Sequence, residues 1–481
     1  MIVQIVLVIV TAVQVNSQQM CPSVCQCNND HAECTNLFSD VTNMTKEKFH
    51  FVLRSLRVFG SKRLELEEHL FLRWNITTLK SLDLSRNNII KVSQRAFYNL
   101  VDLEDLYLSG NRITTLDSQM FYNNTRLHFL SLSENSVTYI YPSTFQENVM
   151  LKELHMDINK ITSLHPDLFK NNLELEWVQL PDNRITDIHP STFLNNMRLL
   201  HLDISRNQIT SLNPYTFVNN KNLITLYLKG NNITKINESA FLGLEQLEEL
   251  DLSNNNIEEL NPLIFHNFTS TNQQNHQLSN LKHLNLSQNM IRYFNFELYF
   301  PMNSNSDSSN PTFQLQYLNL RSNRLTTLHV ASVKWLNETA AYIDLTENPW
   351  NCDCSVLLEV WRGLKHKLTL HCASPRELQG KSWDMIEEFC TLVGGPSVVT
   401  TTLIVIGVLL VCAIAGGLIL AKVVKRRRNR SKTPEYCDVY PARASRISIH
   451  SYEEIGLGLS QNTDQFYADV GRRPSYITVQ S

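Results

Sequence analysis

One asparagine recurs every 24 residues through the middle of this 481-residue chain. Each copy closes the same nine-residue pattern, L-x-x-L-x-L-x-x-N, as in Leu79–Asn87 and Leu247–Asn255. A phenylalanine follows each asparagine by ten residues, and eight consecutive matches at two linked positions exclude chance. The two series are Asn87, Asn111, Asn135, Asn159, Asn183, Asn207, Asn231 and Asn255, and Phe97, Phe121, Phe145, Phe169, Phe193, Phe217, Phe241 and Phe265.

The alternation inside this pattern predicts one short strand per repeat, with its leucines pointing inward and the intervening residues outward. Stacked strands form a parallel sheet on the concave side of a curved solenoid. We expect the asparagine to turn inward after the strand, where its amide bonds backbone groups that would otherwise be buried unpaired. The phenylalanines should stack as a spine under the convex side.

The pattern continues beyond this regular block. Two further repeats each arrive 34 residues after the one before, so polar insertions lie near 270–280 and 303–310. These insertions have no apolar period and are predicted to be surface loops or disordered. We count about twelve repeats over residues 53–348; those outside the block are Leu53–Ser61, with Ser61 in the asparagine position, Leu281–Asn289, Leu315–Asn323 and Ile343–Asn348.

Eight of the ten cysteines form two clusters at either end of the repeats. Even-numbered clusters indicate disulfides, which form in an oxidising compartment. Zinc is the competing interpretation, but neither cluster contains a Cys-x2-Cys pair. Spacing alone does not choose among the three pairings that four cysteines allow. The clusters are Cys21, Cys25, Cys27 and Cys34, then Cys352, Cys354, Cys372 and Cys390.

The repeats and their flanking cysteines resemble the extracellular leucine-rich repeat family, as in Slit proteins, Nogo receptors and Toll-like receptor ectodomains. The resemblance implies an α/β-type leucine-rich repeat solenoid, a horseshoe with its parallel sheet on the concave face. It implies a cysteine-rich N-terminal cap at 18–52 and a C-terminal cap at 349–390, which cover the apolar ends of the stack. The pairings that it implies are Cys21–Cys27, Cys25–Cys34, Cys352–Cys372 and Cys354–Cys390.

Both ends of the chain predict a membrane topology. Residues 1–17 are an apolar run that fits a cleaved signal peptide, although an uncleaved anchor remains the alternative because no lysine or arginine precedes the run. Residues 398–421 carry no charged side chain and would form a helix of about 36 Å, which is enough to cross a bilayer. Basic residues follow at once, so the positive-inside rule places the tail, 422–481, in the cytoplasm. We therefore expect a single-pass type I protein of the plasma membrane, with residues 391–397 as a juxtamembrane linker.

Small residues recur at a four-residue period in the predicted membrane helix, at Ala413, Gly417 and Ala421. Such a stripe lets two helices approach closely and favours a homodimer, although ordinary small residues in an apolar helix explain it as well.

The expected extracellular side carries eight N-x-[ST] sequons for glycosylation: Asn43, Asn75, Asn123, Asn232, Asn237, Asn267, Asn285 and Asn337. Asn285 occupies an outward strand position, so a glycan there would block part of the concave face.

The search for chemistry favours binding over catalysis. The chain has no G-x-S-x-G, H-E-x-x-H, P-loop or kinase signature, and only 14 glycines, so neither an enzyme nor a cofactor is predicted. Its formal charge of −3 gives no case for nucleic-acid binding. His155 and His201 are read as contact residues rather than metal ligands, because no third ligand is apparent.

Aromatic rings recur at the outward strand positions of six successive repeats. A contiguous exposed strip of this kind suits recognition of an extracellular protein ligand, although β-propensity alone also favours aromatic residues in strands. The acidic residues Asp105, Glu153, Asp157, Asp203, Glu249 and Asp251 flank the strip. The predicted ligand-binding residues are Tyr107, Phe129, His155, Trp177, His201 and Tyr227.

The tail holds four Tyr-x-x-hydrophobic motifs, at Tyr436, Tyr452, Tyr467 and Tyr476. Phosphorylated, they would bind SH2 adaptors; unphosphorylated, they would serve as sorting signals. The sequence thus predicts a cell-surface receptor or adhesion protein whose tail recruits SH2 or sorting adaptors. The alternatives are an adhesion molecule or co-receptor whose tail only directs trafficking, and a shed decoy binder.

Overall fold

The computed structural model describes most of the repeat region and parts of both caps. The predicted signal peptide, the linker 391–397 and the tail tyrosines lie outside the described residues, and the predicted membrane segment contributes only Ile406 and Ile414. Within the part of the chain that is described, no helix is both long and apolar enough to cross a bilayer. The described residues are 21–37, 49, 51–61, 64–268, 274–276, 278, 280–300, 315–353, 364, 370–385, 390, 406, 414 and 422.

The chain divides into two units, 1–399 and 400–481, and the architecture below is that of the first. Its main element is a fourteen-stranded sheet in which the first two strands pair antiparallel and every later strand is parallel to its neighbours. Twelve parallel strands from Ser55 onward match the predicted repeats one for one. The strands are Cys25–Asn28, His31–Thr35, Ser55–Phe59, Ser81–Asp83, Asp105–Tyr107, Phe129–Ser131, Glu153–His155, Trp177–Gln179, His201–Asp203, Thr225–Tyr227, Glu249–Asp251, His283–Asn285, Tyr317–Asn319 and Tyr342–Asp344.

Burial within each strand follows the predicted alternation. In Glu153–His155 the central Leu154 is fully buried, and both flanking side chains reach the surface. The register aligns Leu154 with Leu130 on one side and with Val178 on the other. Because the inward positions of all repeats coincide in this way, the stack has one continuous apolar core.

The return segments on the convex side differ from the α/β expectation. Between consecutive strands of the 24-residue block they are turns, with short parallel pairs and no regular helix in the described residues 79–260. The short strands are Leu64–Leu66 with Ile89–Val92, Thr115–Leu116 with Tyr139–Ile140, and Ser211–Leu212 with Lys235–Ile236; the helices are Leu70–Arg73, Phe296–Tyr299 and Val330–Glu338, and the 3-10 turns are Pro262–Phe265, Arg376–Leu378 and Trp383–Met385.

The predicted phenylalanine spine is present. All eight rings are fully buried, and Phe71 extends the column at its N-terminal end. Ring centroids lie 6.0 Å apart from Phe71 to Phe97, 6.1 Å from Phe121 to Phe145 and 5.5 Å from Phe169 to Phe193, in stacked orientations. A packed aromatic column of this kind fills the convex half of the core.

The asparagine ladder also has the predicted geometry. The Asn159 amide Nδ2 donates to the carbonyl of Leu132, one repeat back, at 2.9 Å and to that of Met156 at 3.2 Å. Its Oδ1 accepts from the Val137 N–H at 2.9 Å. Each ladder side chain therefore joins its own turn to the preceding repeat, and it satisfies backbone groups that water does not reach.

A second asparagine ladder lies on the convex side and was not predicted. Asn172 is fully buried, and its Nδ2 donates to the carbonyls of Phe145 at 2.9 Å and Asn148 at 2.8 Å. Among the described residues, the Oδ1 atoms of this series have no hydrogen-bond partner. Leucine takes the same position in the flanking repeats, at Leu100 and Leu244. The series comprises Asn124, Asn148, Asn172, Asn196 and Asn220.

Disulfides staple both ends of the solenoid. Cys21 is bonded to Cys27, and Cys25 to Cys34, across the antiparallel strand pair that begins the sheet. At the other end Cys352 is bonded to Cys372, beside the paired strands Trp350–Asn351 and Cys372–Ser374. Cys390 is disulfide-bonded as well, and its implied partner Cys354 lies outside the described residues. The three described bonds join the pairs that the family resemblance implies.

The first insertion is more ordered at its edges than the expected loop. The strands His266–Phe268 and Gln274–His276 pair antiparallel and form a small hairpin there. The second insertion, 303–310, falls outside the described residues. The repeats after both insertions return to the main sheet in register, since Leu250, Leu284 and Leu318 lie side by side.

Candidate binding surface on the concave face

All six aromatic residues predicted to bind ligand lie at outward positions of the concave sheet. Five of them are half-buried, and Trp177 is the most open, with 37% of its surface exposed. The inward neighbours of Trp177 already fill the core, so the indole contributes to the surface rather than to the interior. We call the six residues Tyr107, Phe129, His155, Trp177, His201 and Tyr227 the aromatic strip.

Five of the six rings form two clusters, and Tyr227 stands apart with its hydroxyl on Glu249. Tyr107 contacts Phe129 with centroids 4.8 Å apart, and Phe129 meets His155 edge-on at 5.1 Å. Trp177 and His201 form the second cluster, 4.2 Å apart. Glu153 lies between the two clusters, because its strand pairs with those of Phe129 and Trp177 in the same register. The predicted continuous strip is therefore interrupted by a carboxylate.

Protonation of the strip is set by partial burial. Burial lowers the pKa of His155, against the opposing pull of the Glu153 and Asp157 carboxylates, and it also lowers the pKa of His201. Both imidazoles are thus neutral at physiological pH. Burial and a 2.9 Å hydrogen bond from its hydroxyl to Glu249 raise the pKa of Tyr227 to about 12, so this phenol stays protonated.

Neither histidine of the strip is arranged as a metal ligand. The Nδ1 atom of His201 shares a 2.8 Å hydrogen bond with the Thr225 hydroxyl, and the Nε2 atom of His155 lies 3.8 Å from a Glu153 oxygen. In the described part of the chain, no three histidine, cysteine or acidic side chains meet in a way that could hold a metal ion.

The concave face is strongly acidic. Its outward positions from Ser81 to Ser253, all of which are described, carry a single lysine, Lys229. Asp83 is paired with Arg57 at 3.2 Å. Burial, reinforced by the nearby Glu104 charge, raises the pKa of Asp105. The carboxylates at these positions are Asp83, Asp105, Glu153, Asp157, Asp203, Glu249 and Asp251.

The sequons leave this part of the face clear. Asn285 is the exception at its C-terminal border, because it occupies an outward position beside Asp251 and its Oδ1 accepts from Ser287. Asn123 is half-buried on the convex side, where its amide donates to the Tyr98 carbonyl at 2.7 Å. Of the others, Asn75, Asn232, Asn237 and Asn337 are exposed, Asn267 lies in the strand His266–Phe268, and Asn43 is outside the described residues.

A groove of about 910 Å³ opens on the flank of the solenoid, away from the strip. Sequence reasoning did not identify it, because it forms where the regular block meets the longer repeats. Its charges are mixed, and Arg292 lies 3.7 Å from Glu258 across it. Its lining residues include Leu212, Lys235, Asn237, Glu259 and Tyr293.

The chain belongs to the leucine rich repeat family, which its sequence matches over residues 53–273 and again over 314–336. No curated protein matches it. Among solved structures, it is similar to a chain of the Toll–Spatzle complex of Drosophila, with 21% identity and a TM-score of 0.51. That alignment covers 69% of this chain and 50% of the other, so the protein spans about half the length of the matched chain.

A second similar structure is the octameric complex of Latrophilin 3, Unc5D and FLRT2, the last represented by its leucine-rich repeats. Identity is 18% and the TM-score 0.53, and the alignment covers 76% of this chain and 97% of that one. Both likenesses show a shared solenoid fold.

Proposed function

We propose that this protein is a cell-surface binding protein that recognises an extracellular protein through the aromatic strip, and that it is not an enzyme. The observation that carries the proposal is the strip itself, whose two ring clusters lie on a sheet face with no sequon at its outward positions from Ser81 to Ser253. Surface aromatics that add little to the core are typical binding hot spots. The Toll–Spatzle and Latrophilin–Unc5D–FLRT2 structures are complexes between proteins, which supports a protein ligand here.

The remaining parts of the proposal rest on the sequence. The apolar run 398–421 followed by basic residues supports a single membrane span, and the disulfides support an extracellular repeat domain. The small-residue stripe of that span supports a homodimer. The tail tyrosines support recruitment of SH2 or sorting adaptors.

Replacing Trp177 by alanine tests recognition. The indole contacts His201 at 4.2 Å but leaves the core intact, so folding and surface display should hardly change. Binding should weaken by about 2 kcal/mol, roughly thirtyfold in Kd. The binding partner is first identified by a pull-down in which this protein is screened against a library of secreted and surface proteins. The Kd for that partner is then measured for the native chain and the variant at matched expression.

Two controls frame this experiment. Tyr139→Ala removes an equally exposed ring from the flank, where it contacts only the edge of Tyr141 among the described rings, and Ser85→Ala changes a concave residue outside the strip. Both should bind like the native chain. Equal affinity of Trp177→Ala and these controls would remove the concave face as the binding site.

The membrane topology and the role of the tail are tested separately. An antibody to residues 422–481 should stain cells only after permeabilisation, and staining of intact cells would refute the type I arrangement. Tyr452→Phe should abolish adaptor-dependent signalling if the tail is a phosphotyrosine scaffold. Unchanged signalling with altered surface residence would favour the trafficking alternative, and release of the repeat domain into the medium would favour a shed decoy.

A further inference from the structure

Acidic and aromatic side chains alternate along one row of the concave sheet. Asp105, Phe129, Glu153 and Trp177 occupy the same position on four successive strands, each directly opposite the next in the parallel register. We call these four residues the acid–aromatic row. His201 continues it beyond Trp177, with Asp203 two residues further along the same strand.

In the part of the chain that the structure describes, the two carboxylates of the row, Asp105 and Glu153, and the neighbouring Asp203 form no ion pair with a lysine or an arginine. The Nε2 atom of His155 lies 3.8 Å from a Glu153 oxygen, and burial lowers the pKa of this imidazole, which disfavours a compensating positive charge there. Arg206, which lies near Asp203, is instead bound to Asp182 with a distance of 2.6 Å from its Nε. A partner surface with negative charge would therefore be repelled here.

The spacing of the row defines two positions for a cation. Adjacent strands lie about 4.8 Å apart, so a group above Phe129 has a carboxylate about one strand away on either side. A group above Trp177 has Glu153 on one side and reaches Asp203 on the other. The two positions are two strands apart, or about 10 Å.

Ring and carboxylate together select the kind of cation. A guanidinium stacks flat on an aromatic face while its N–H groups donate to neighbouring carboxylates. An ammonium group is held less well, because it cannot form two parallel hydrogen bonds in a fixed plane.

We infer that the acid–aromatic row binds two arginine side chains of a protein partner about 10 Å apart, one over Phe129 and one over Trp177. The inference rests on the proposed function and adds the chemistry of the partner to it. Residues seven apart on one face of an α-helix are separated by about 10.5 Å, which matches this spacing.

A synthetic peptide probes the row directly. The probe is an alanine-based helical peptide with two arginines seven residues apart, and the comparator has the same composition with its arginines four apart. Calorimetric titration of the full-length protein should give at least tenfold tighter binding for the probe, with affinity falling as salt rises. Lysine in place of both arginines should weaken binding.

Glu153→Gln is the decisive variant, because this carboxylate adjoins both cation positions. The side chain is about half exposed, so the isosteric change should leave the thermal melt unchanged while probe affinity falls at least tenfold. Asp167→Asn is the matched control: it removes an acid of similar exposure from outside the concave face, and probe binding should not change.

Equal binding of probe and comparator, or undiminished binding by Glu153→Gln, would overturn the inference. Binding of the natural partner to the same variants distinguishes failure of this inference from failure of the proposed function. If its affinity falls with Trp177→Ala but not with Glu153→Gln, the face binds a protein without the two cation positions. If Trp177→Ala also leaves the affinity for the natural partner unchanged, the proposed function fails.

Discussion

Asn159 allows a direct test of how much the side-chain ladder stabilises the solenoid. Alanine at this position deprives the Val137 N–H of the acceptor that now lies at 2.9 Å. The Leu132 and Met156 carbonyls each lose one of two amide donors and keep the other, from Asn135 and Asn183. These groups are buried inside the stack, where water cannot replace the amide. Because one buried group is left unpaired, the free energy of unfolding should fall by about 1–3 kcal/mol.

Asn171→Ala is the control in the same repeat. Its amide donates to the Gln146 carbonyl at 3.2 Å, but the bond is exposed and water can take its place, so the loss should stay within about 0.5 kcal/mol. Urea unfolding gives both values. Since long repeat arrays can unfold in more than one step, hydrogen exchange of the Val137 amide is followed alongside and should accelerate only in Asn159→Ala.

If Asn159→Ala unfolds at the same urea concentration as Asn171→Ala and the Val137 amide keeps its protection, the reasoning is refuted. The backbone would then be stable without the side-chain amide, and the ladder would be a consequence of the fold rather than one of its supports.

Four further outcomes are expected. Phe145→Ala opens a cavity in the spine and should cost about 3–5 kcal/mol in a melt, whereas Tyr122→Ala on the exposed convex side should cost far less. Asn172→Leu should be nearly neutral in the same melt: it removes an unpaired buried oxygen, and the Phe145 and Asn148 carbonyls that lose the amide keep the N–H groups of Asn148 and Leu151. Leucine is also the residue that flanking repeats carry at this position. Cys352→Ser breaks a cap disulfide worth about 2–5 kcal/mol and should keep the protein inside the cell, as immunoblotting of cell surface and lysate would show. Because burial lowers the folded-state pKa of His155, protonation disfavours the fold; stability should drop as pH falls below about 6.5, and less so in His155→Gln, by thermal melts from pH 7 to 5.

Much of the fold follows from the repeat alone. The pattern places Leu154 inside and His155 outside, and it predicts the ladder role of Asn159, since a strand period of two and a fixed repeat length determine these positions. The degenerate first repeat was also predicted correctly: Ser61 is buried in the asparagine position and its N–H bonds to Asn87.

The second ladder shows where the pattern ends. Asn148, Asn172 and Asn196 recur every 24 residues as regularly as the first series, so the signal was present. Asparagine is common in turns, however, and the pattern does not say whether a turn side chain points to water or into the core. The direction of the side chain depends on whether carbonyls of the preceding repeat lie within hydrogen-bond distance, and only the folded structure gives their positions.

The candidate site divides in the same way. Strand periodicity predicts that Tyr107, Phe129 and Trp177 share a face. Which rings touch depends on side-chain rotamers, and the structure joins Phe129 to His155 but Trp177 to His201. From the sequence, Glu153 is one of the acidic residues that flank the strip. Its position between the two ring clusters depends on the register of three strands.

The ladder bonds have a consequence for how such a protein can change length. Outside its own repeat, Asn159 bonds Leu132 and Val137, both in the repeat immediately before, and Asn183 bonds Met156 and Ile161 in the same way. No bond of the ladder in the described block skips a neighbour. Deleting residues 160–183 would join Asn159 to Arg184. Each backbone or amide group that lost its hydrogen-bond partner would then meet an equivalent group from the next repeat. Gene duplication or unequal crossing-over can therefore shorten or lengthen the solenoid by whole repeats. The area of the concave surface changes with it, and no new type of contact between repeats is needed.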